Sequence, residues 1–160
     1  MIYLDLDGVF ADFFGKLESL GLDYRADPRA AWAVAEKIPN FFATLQPTEY
    51  AVEMFNRIKF MANKSGHEIT FLTALPLLTE ELRTAADDKK YWVQRVLHTS
   101  KRVICVSHWS EKSAYVNGAE DILIDDAARN IIDWCGAGGV GIVHYSQPNT
   151  IKTLELILAA

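Results

Sequence analysis

Short apolar runs alternate with longer segments of helical periodicity along this chain. The apolar runs are of strand length, and they are IYLDL from Ile2, EITFL from Glu68, RVICV from Arg102, DILID from Asp121 and VGIVHY from Val140. Strands that alternate with helices favour a parallel sheet, because each crossover helix returns the chain to the same edge. The pattern therefore predicts an α/β fold of the Rossmann-like kind, with helices flanking a parallel sheet.

Three helices between or after these strands have recognisable limits. Residues 48–64 carry apolar side chains at helical spacing, and so do residues 127–135, which precede Gly136. Glycine often follows the last helical turn, so we expect Gly136 at that position. A last helix is expected after Pro148, with Asn149 or Thr150 as its cap.

One region breaks the alternation of strands and helices. Residues 13–47 contain helix-like pieces but no convincing strand. We interpret them as a small helical cap inserted after the first strand. The predicted core is residues 1–12 and 66–160, and the predicted cap with its return helix is residues 13–65.

Asp5 and Asp7 lie at the carboxyl end of the first predicted strand, directly before Gly8. In an open α/β sheet, ligands bind at this edge. A turn at Gly8 would let Asp7 leave the line of the strand and offer its side chain and backbone carbonyl separately. This arrangement suits a nucleophile beside a general acid, although a solvated strand end followed by a turn has the same pattern.

Asp125 and Asp126 end the strand DILID and add two carboxylates to the same edge. Such a cluster would be repulsive without a cation, and carboxylates with a backbone carbonyl suit Mg²⁺. We therefore expect a Mg²⁺ site formed by Asp5, Asp7, Asp125 and Asp126. One of the last two residues could instead cap the helix that follows, and the choice of direct ligand between them stays open.

Two further residues could neutralise or bind a phosphate. Thr73 closes the second strand, where its hydroxyl and the following backbone N–H of Ala74 could hold phosphate oxygens. Lys112, in WSEKSAY, could neutralise the transferring group. Taken alone, a strand-end threonine and a surface lysine are commonplace.

The four signals fall in order on successive strand ends, and together they resemble a known superfamily. DLDGVFAD, LTA, the Lys112 segment and ILIDDAARN resemble the four motifs of the haloacid dehalogenase (HAD) superfamily. DGVFADF, PNFF, KKYWV and LIDDAARNI are similar to segments of its 5′(3′)-deoxyribonucleotidase family, and this resemblance spans Tyr3 to about Tyr145. At position 74, alanine stands where related nucleotidases often have a serine.

The resemblance implies a two-step phosphatase that acts on nucleoside monophosphates. Asp5 would be the nucleophile, Asp7 the general acid and base, and Thr73 and Lys112 the phosphate ligands. Asp125, with help from Asp126, would bind Mg²⁺.

Three residues are candidates for substrate contacts outside this centre. Phe13, Phe41 and Phe42 lie in the predicted cap, where a ring could stack on a nucleobase or could fill the cap core. One of Phe41 and Phe42 is expected in the cap core and the other could contact the base, and we assign the base contact to Phe41. Lys89 in KKYWV could reach the phosphate or could be solvated.

Composition narrows the classes of partner. The chain has 160 residues, with 21 acidic and 16 basic side chains and a formal charge of −5, so we expect no nucleic-acid polymer as partner. The opening MIYLDLDG lacks a basic leader and no apolar stretch approaches membrane-span length, which predicts a cytoplasmic protein that binds no membrane. Both cysteines are expected to be inert. The oligomeric state stays open between monomer and dimer.

Three alternative functions preserve parts of the pattern. A HAD phosphatase for a sugar phosphate would share every core motif and differ in the cap. A non-enzymatic phosphoacceptor receiver module also combines acids, a hydroxyl and a lysine, but it places its adjacent acids before the threonine and lysine. A silent binding protein would not need both Asp5 and Asp7.

Overall fold

The five apolar runs form one parallel sheet. The computed structural model describes residues 1–77 and 79–159; residue 160, the end of the predicted core range, lies outside them. The order across the sheet is β3-β2-β1-β4-β5. The strands are β1 Ile2–Leu4, β2 Ile69–Ala74, β3 Val103–Val106, β4 Ile122–Asp125 and β5 Val140–Val143. The Rossmann-like α/β prediction is confirmed.

The central strand β1 has neighbours on both sides, and this sets the position of the residues that follow it. Ile2 is in register with Ile69 of β2 and with Ile122 of β4. β1 ends at Leu4, so Asp5 follows the strand instead of lying within it. The carboxyl ends of β2, β1 and β4 therefore meet at one edge.

Side chains of β1 alternate between two buried layers, as the pleat requires. Ile2 and Leu4 pack into the larger core, which also contains Phe71. Tyr3 packs on the opposite face, against Trp134 with ring centroids 5.0 Å apart. Burial on both faces is typical of a parallel sheet covered by helices.

Six α-helices and two 3₁₀ helices surround the sheet within the described residues. The α-helices are α1 Phe13–Ser19, α2 Pro28–Ala35, α3 Ala51–Ser65, α4 Ala85–Val96, α5 Ala128–Gly136 and α6 Gln147–Leu158. The 3₁₀ helices are Phe41–Thr44 and Trp109–Tyr115.

Two predicted helix ends were wrong, by two residues at the end of α5 and by three or four residues at the N-cap of α6. Gly136 is the last residue of α5, and the left-handed glycine that follows the helix is Gly138, with φ of 98°. The helix α6 begins at Gln147 with Ser146 as its N-cap, so Pro148 lies in the first turn. Proline is tolerated there because the first-turn N–H groups have no partner within the helix.

The segment between β1 and α3 is helical, as the sequence suggested. Asp12 caps α1 by accepting a hydrogen bond from the Gly15 N–H at 3.0 Å, and Asp27 caps α2 in the same way. The first 3₁₀ helix packs on α4, where the Trp92 indole N–H donates to the Leu45 carbonyl at 2.7 Å. This contact fixes the inserted helices over the site edge of the sheet.

None of the helices formed by residues 1–77 and 79–159 combines the length and the apolar character needed to cross a bilayer.

Candidate functional site

The turn after β1 places Asp5 and Asp7 at the floor of a cavity. The Asp5 N–H donates to the Ile124 carbonyl at 2.9 Å, which holds the backbone against β4. Gly8 then turns the chain with φ of 78°, as the sequence suggested. A Cβ at Gly8 would lie 2.4 Å from Asp126 Oδ2, so only glycine allows this close approach.

Lys112 lies between two carboxylates of the floor. Its Nζ is 2.9 Å from Asp5 Oδ1 and 2.7 Å from Asp125 Oδ2, and the side chain is buried. Burial alone would lower the pKa of Lys112, but the carboxylates of Asp5 and Asp125 outweigh it and raise the pKa. The structure therefore places a fixed ammonium charge beside Asp5.

Asp125 is fully buried and its oxygens are occupied by protein donors. Oδ1 accepts from the Ala127 N–H at 2.9 Å, the Asn130 amide reaches both oxygens, and Lys112 donates to Oδ2. Burial and then the Asp5 charge raise the pKa of Asp125. The carboxylate thus orients Lys112. The N-cap of α5 is Ala127 and has no side-chain capping bond, so the expectation that Asp125 or Asp126 caps this helix was wrong. Metal binding by Asp125 stays a prediction.

Asp126 faces the cavity, and within residues 1–77 and 79–159 its carboxylate has no such partners. Burial, followed by the charges of Asp5 and Asp125, raises its pKa to about 7. Oxygens of Asp5, Asp125 and Asp126 lie within 4.8 Å of one another. Asp5 Oδ1 is near the Lys112 ammonium but forms no hydrogen bond of good geometry with the part of the chain that the structure describes. Convergent carboxylate oxygens are the type of hard donor that a divalent cation takes.

Lys89 is the second buried ammonium of the site. Its Nζ donates to Asp7 Oδ2 and to Thr73 Oγ1, the latter at 3.0 Å, and lies 4.5 Å from the centroid of the Phe42 ring. The side chain has no exposed surface, so the interpretation of Lys89 as solvated was wrong. A direct contact of Lys89 with phosphate stays a prediction.

The ammonium of Lys89 does not fully offset the effect of burial on the pKa of Asp7. Desolvation raises the pKa of Asp7 although the nearby Lys89 ammonium opposes it. Asp7 Oδ1 has no hydrogen-bond partner among the described residues. The carboxylates that converge are those of Asp5, Asp125 and Asp126. Metal binding by Asp7, through its side chain or its backbone carbonyl, stays a prediction.

A cavity of about 200 Å³ lies above these groups. Its floor includes Thr73 and Ala74 at the end of β2, and phosphate binding by these residues stays a prediction. The opposite wall is aromatic and comes mostly from the inserted helices, with Phe13, Phe14, Tyr24, Trp32 and Phe42. The cavity thus joins a charged floor to an aromatic wall.

Phe41 does not belong to that wall, although the sequence placed a substrate contact there. Its side chain is 1% exposed and packs edge-on against Phe42, with ring centroids 5.2 Å apart. Phe42 is the ring of this pair that lines the cavity, and Phe13 lines it as well. The 3₁₀ helix explains the difference, because consecutive side chains on it point in different directions.

Sequence reasoning did not find several residues of the site. Phe14, Tyr24 and Trp32 are partly exposed rings of the wall, and Trp109, Arg129 and Asn130 also line the cavity. Asn130 could have been suspected, because it lies one helical turn after the acidic pair and its amide points back to Asp125. No local pattern distinguishes a cavity ring from a core ring in the inserted segment.

Comparison with known proteins supports the fold. No protein-family model and no curated protein matches the sequence. The crystal structure of a hydrolase from Pseudomonas syringae is similar, with a TM-score of 0.51 at 14% sequence identity. The match covers 98% of this chain and 89% of that one. At this identity, the similarity shows that the two chains share the α/β architecture over almost the whole chain.

Proposed function

We propose that this protein is a Mg²⁺-dependent phosphomonoester hydrolase that forms a phosphoryl-Asp5 intermediate. The observation that carries the proposal is the floor of the cavity, where Asp5 lies beside the Lys112 ammonium and Asp7 lies two residues further along the same turn. Similarity to a structure named a hydrolase supports a hydrolytic reaction. The HAD-like order of motifs supports phosphate as the group transferred.

Each residue of the floor has one chemical task in this proposal. A carboxylate oxygen of Asp5 attacks phosphorus, the ester P–O bond breaks, and the leaving oxygen takes a proton from Asp7. In the second step, Asp7 takes a proton from water as the water oxygen attacks phosphorus, and Asp5 leaves as a carboxylate. The raised pKa of Asp7 favours the protonated form that the first step needs.

Charge on the transferring group is compensated by groups already in place. Lys112 is fixed by Asp125 and Asn130 acts through the same carboxylate, so the ammonium does not reorganise during the reaction. Thr73 and the Ala74 N–H provide hydrogen-bond donors at the end of β2. Asp5 and Asp126, with Asp125 behind them, would hold Mg²⁺, which neutralises the negative charge of phosphate when bound.

The substrate class that we propose is the nucleoside monophosphates. The aromatic wall supports it, because partly exposed rings such as Phe14, Tyr24 and Trp32 can stack on a nucleobase. Binding of the base at this wall would hold the non-reacting part of the substrate while the phosphate meets Asp5.

Asp5→Asn tests the proposal directly. The amide cannot attack phosphorus, so the variant should lose hydrolysis of nucleoside monophosphates in the presence of Mg²⁺ while keeping the circular dichroism spectrum of the wild type. Asp133→Asn, on the exposed face of α5, is the matched control and should keep its activity. Borohydride reduction of wild-type protein during turnover should convert residue 5 to homoserine.

Three results would contradict the assignment. Activity of wild-type magnitude in Asp5→Asn removes Asp5 as nucleophile. Full turnover in excess chelator would show that the reaction does not need a metal ion. A wild type that prefers sugar phosphates to nucleoside monophosphates would move the substrate class to a sugar phosphate and leave the reaction unchanged.

A further inference from the structure

Arg129 is a cavity-lining cation that the proposed reaction does not use. It lies in the first turn of α5, and its guanidinium carbon is 4.3 Å from the centroid of the Trp109 ring. Both side chains line the cavity that contains Asp5. Arg129 is exposed, whereas Lys112 at the floor is buried, so the arginine lies at the rim of the cavity.

Trp109 supports the guanidinium and is itself held in place. The His108 ring centroid lies 4.8 Å from that of Trp109, and the His108 ring also contacts the Ser110 hydroxyl at 2.7 Å. Because the guanidinium rests on the indole, the rotamer freedom of Arg129 is reduced before any ligand arrives. Its N–H donors remain in the plane of the group, where they can form two parallel bonds to one anion.

The charge of Arg129 has no partner in the described part of the chain. No ion pair or side-chain hydrogen bond within residues 1–77 and 79–159 involves its guanidinium. By contrast, Lys89 and Lys112 both bind carboxylates of the floor. A cation that is preorganised, exposed to the cavity and unpaired can bind an anion from solution.

Before substrate binds, the formal charges of the floor balance without Arg129. Asp5, Asp7, Asp125 and Asp126 carry four formal negative charges, and Lys89 with Lys112 compensates two of them. A divalent cation would compensate the remaining two. Arg129 then provides one positive charge beyond the balance of the floor, at the rim, where the leaving portion of a substrate would lie.

We propose that Arg129 is a specificity-determining residue that binds a second anionic group on the leaving portion of the substrate. The inference rests on the proposed phosphomonoesterase function. It assigns a narrower substrate class, namely phosphomonoesters with a further phosphate or carboxylate. Nucleotides with two separate phosphates would use both Arg129 and the aromatic wall, which makes them the members of the class with the most contacts.

Paired substrates test the inference through the ratio of their kcat/KM values, that of the member with the second anion divided by that of the member without it. The first pair is thymidine 5′-monophosphate and thymidine 3′,5′-bisphosphate, and the second is glycerol 3-phosphate and 3-phosphoglycerate. The wild type should have a higher kcat/KM for the member with the second anion. Loss of a charge-assisted bond in Arg129→Gln should lower this ratio by roughly 10-fold. The pair that responds more identifies phosphate or carboxylate as the preferred second group.

Two further variants separate the role of charge from that of shape. Arg129→Lys keeps the charge but not the paired donors, so the ratio should fall by less than in Arg129→Gln. Arg25→Gln is the matched control, because Arg25 also lies over an aromatic ring, that of Phe14 at 5.6 Å, but does not line the cavity. It should keep the wild-type ratio.

The outcomes distinguish this inference from the proposed function. If the ratio is unchanged in Arg129→Gln because kcat/KM falls equally for both members of each pair, the second-anion role is overturned. If the wild type hydrolyses no substrate, the proposed function fails, and calorimetric binding of the same pairs with Mg²⁺ decides the inference alone. Tighter binding of the bisphosphate that depends on Arg129 supports it, and equal binding by wild type and Arg129→Gln overturns it.

Discussion

The Lys89 ammonium donates a hydrogen bond to the Asp7 carboxylate across 82 positions of the chain. Lys89 is fully buried, and a buried ammonium requires such a partner. Its second bond to Thr73 and its contact with Phe42 connect α4 to the end of β2 and to the aromatic wall. One side chain therefore links Asp7, the end of β2 and the aromatic wall of the cavity.

Lys89→Met should impair turnover and change its pH dependence. Burial raises the pKa of Asp7 and Lys89 opposes that effect, so removal of Lys89 raises the pKa further. Asp7 then stays protonated to higher pH, and the second step, which needs its carboxylate as base, is lost over a wider range. We expect kcat to fall by about 10²-fold or more, and the acid limb of kcat measured between about pH 5 and 9 to move upward.

Lys90→Met is the matched control for that experiment. Lys90 is the adjacent residue of α4, exposed and 3.5 Å from Asp87, and its loss should leave both kcat and the profile unchanged. A reduced kcat in Lys89→Met with an unshifted acid limb would show that Lys89 does not control the proton on Asp7.

The acidic floor could be predicted from the sequence because residues at the carboxyl ends of neighbouring parallel strands lie at the same edge of the sheet. Asp5 follows β1 and Asp125 closes β4, and the parallel register of these neighbouring strands brings the two carboxylates to one edge. Chain order alone also placed Thr73 at that edge, through the neighbouring β2. The chemical roles of these residues stay predictions.

The aromatic wall and the burial of Lys89 could not be predicted in the same way. A helix shows several faces, and the face of α4 that meets Asp7 depends on how α4 packs against the first 3₁₀ helix. For the same reason, sequence reasoning chose Phe41 where the structure places Phe42 on the cavity. Long-range packing, which no local pattern encodes, decides both cases.

Asp126→Asn should weaken Mg²⁺ binding and stabilise the metal-free protein at alkaline pH. The pKa of Asp126 is raised to about 7, so its folded form holds a proton that the unfolded form has released. The free energy of unfolding therefore falls as pH rises from the unfolded pKa of about 4 towards 7. Without Mg²⁺ at pH above 7, the variant should have the higher Tm.

Added Mg²⁺ should reverse that order. The cation should raise the Tm of the wild type and leave that of Asp126→Asn almost unchanged, because binding to the folded state stabilises it. Asp133→Asn should respond to Mg²⁺ as the wild type does. Equal Mg²⁺-induced shifts in Asp126→Asn and the wild type would remove Asp126 from the metal site.

His144 should make stability sensitive to acid independently of the metal site. Burial lowers its pKa, and its Nδ1 contacts the Thr150 hydroxyl at 2.8 Å. The unfolded chain binds a proton at higher pH than the folded one, so the stabilisation is present above the unfolded pKa of about 6.5 and is lost below it. In metal-free protein, the Tm of His144→Gln should fall less than that of the wild type when the pH is lowered from neutral to mildly acidic. An identical loss in both proteins would contradict a depressed pKa.

Trp32→Ala should erode a preference for nucleotides over sugar phosphates. Trp32 is a partly exposed ring of the cavity wall, supported by Tyr24 with ring centroids 5.8 Å apart. Loss of base stacking worth roughly 1–3 kcal/mol would lower kcat/KM for nucleoside monophosphates by about 5- to 150-fold. A sugar phosphate has no base to lose, so its kcat/KM should stay nearly constant.

Phe41→Ala distinguishes a stacking ring from a core ring in the same inserted segment. Phe41 is buried against Phe13 and Phe42, so its truncation should lower the free energy of unfolding by about 3–5 kcal/mol. The inserted helices would loosen, and kcat/KM for nucleotides and sugar phosphates should fall in parallel. Rates with both substrate classes, measured beside Tm in the two variants, decide the matter. A selective loss of nucleotide activity in Phe41→Ala with Tm unchanged, or a parallel loss in Trp32→Ala, would place the base away from the ring wall.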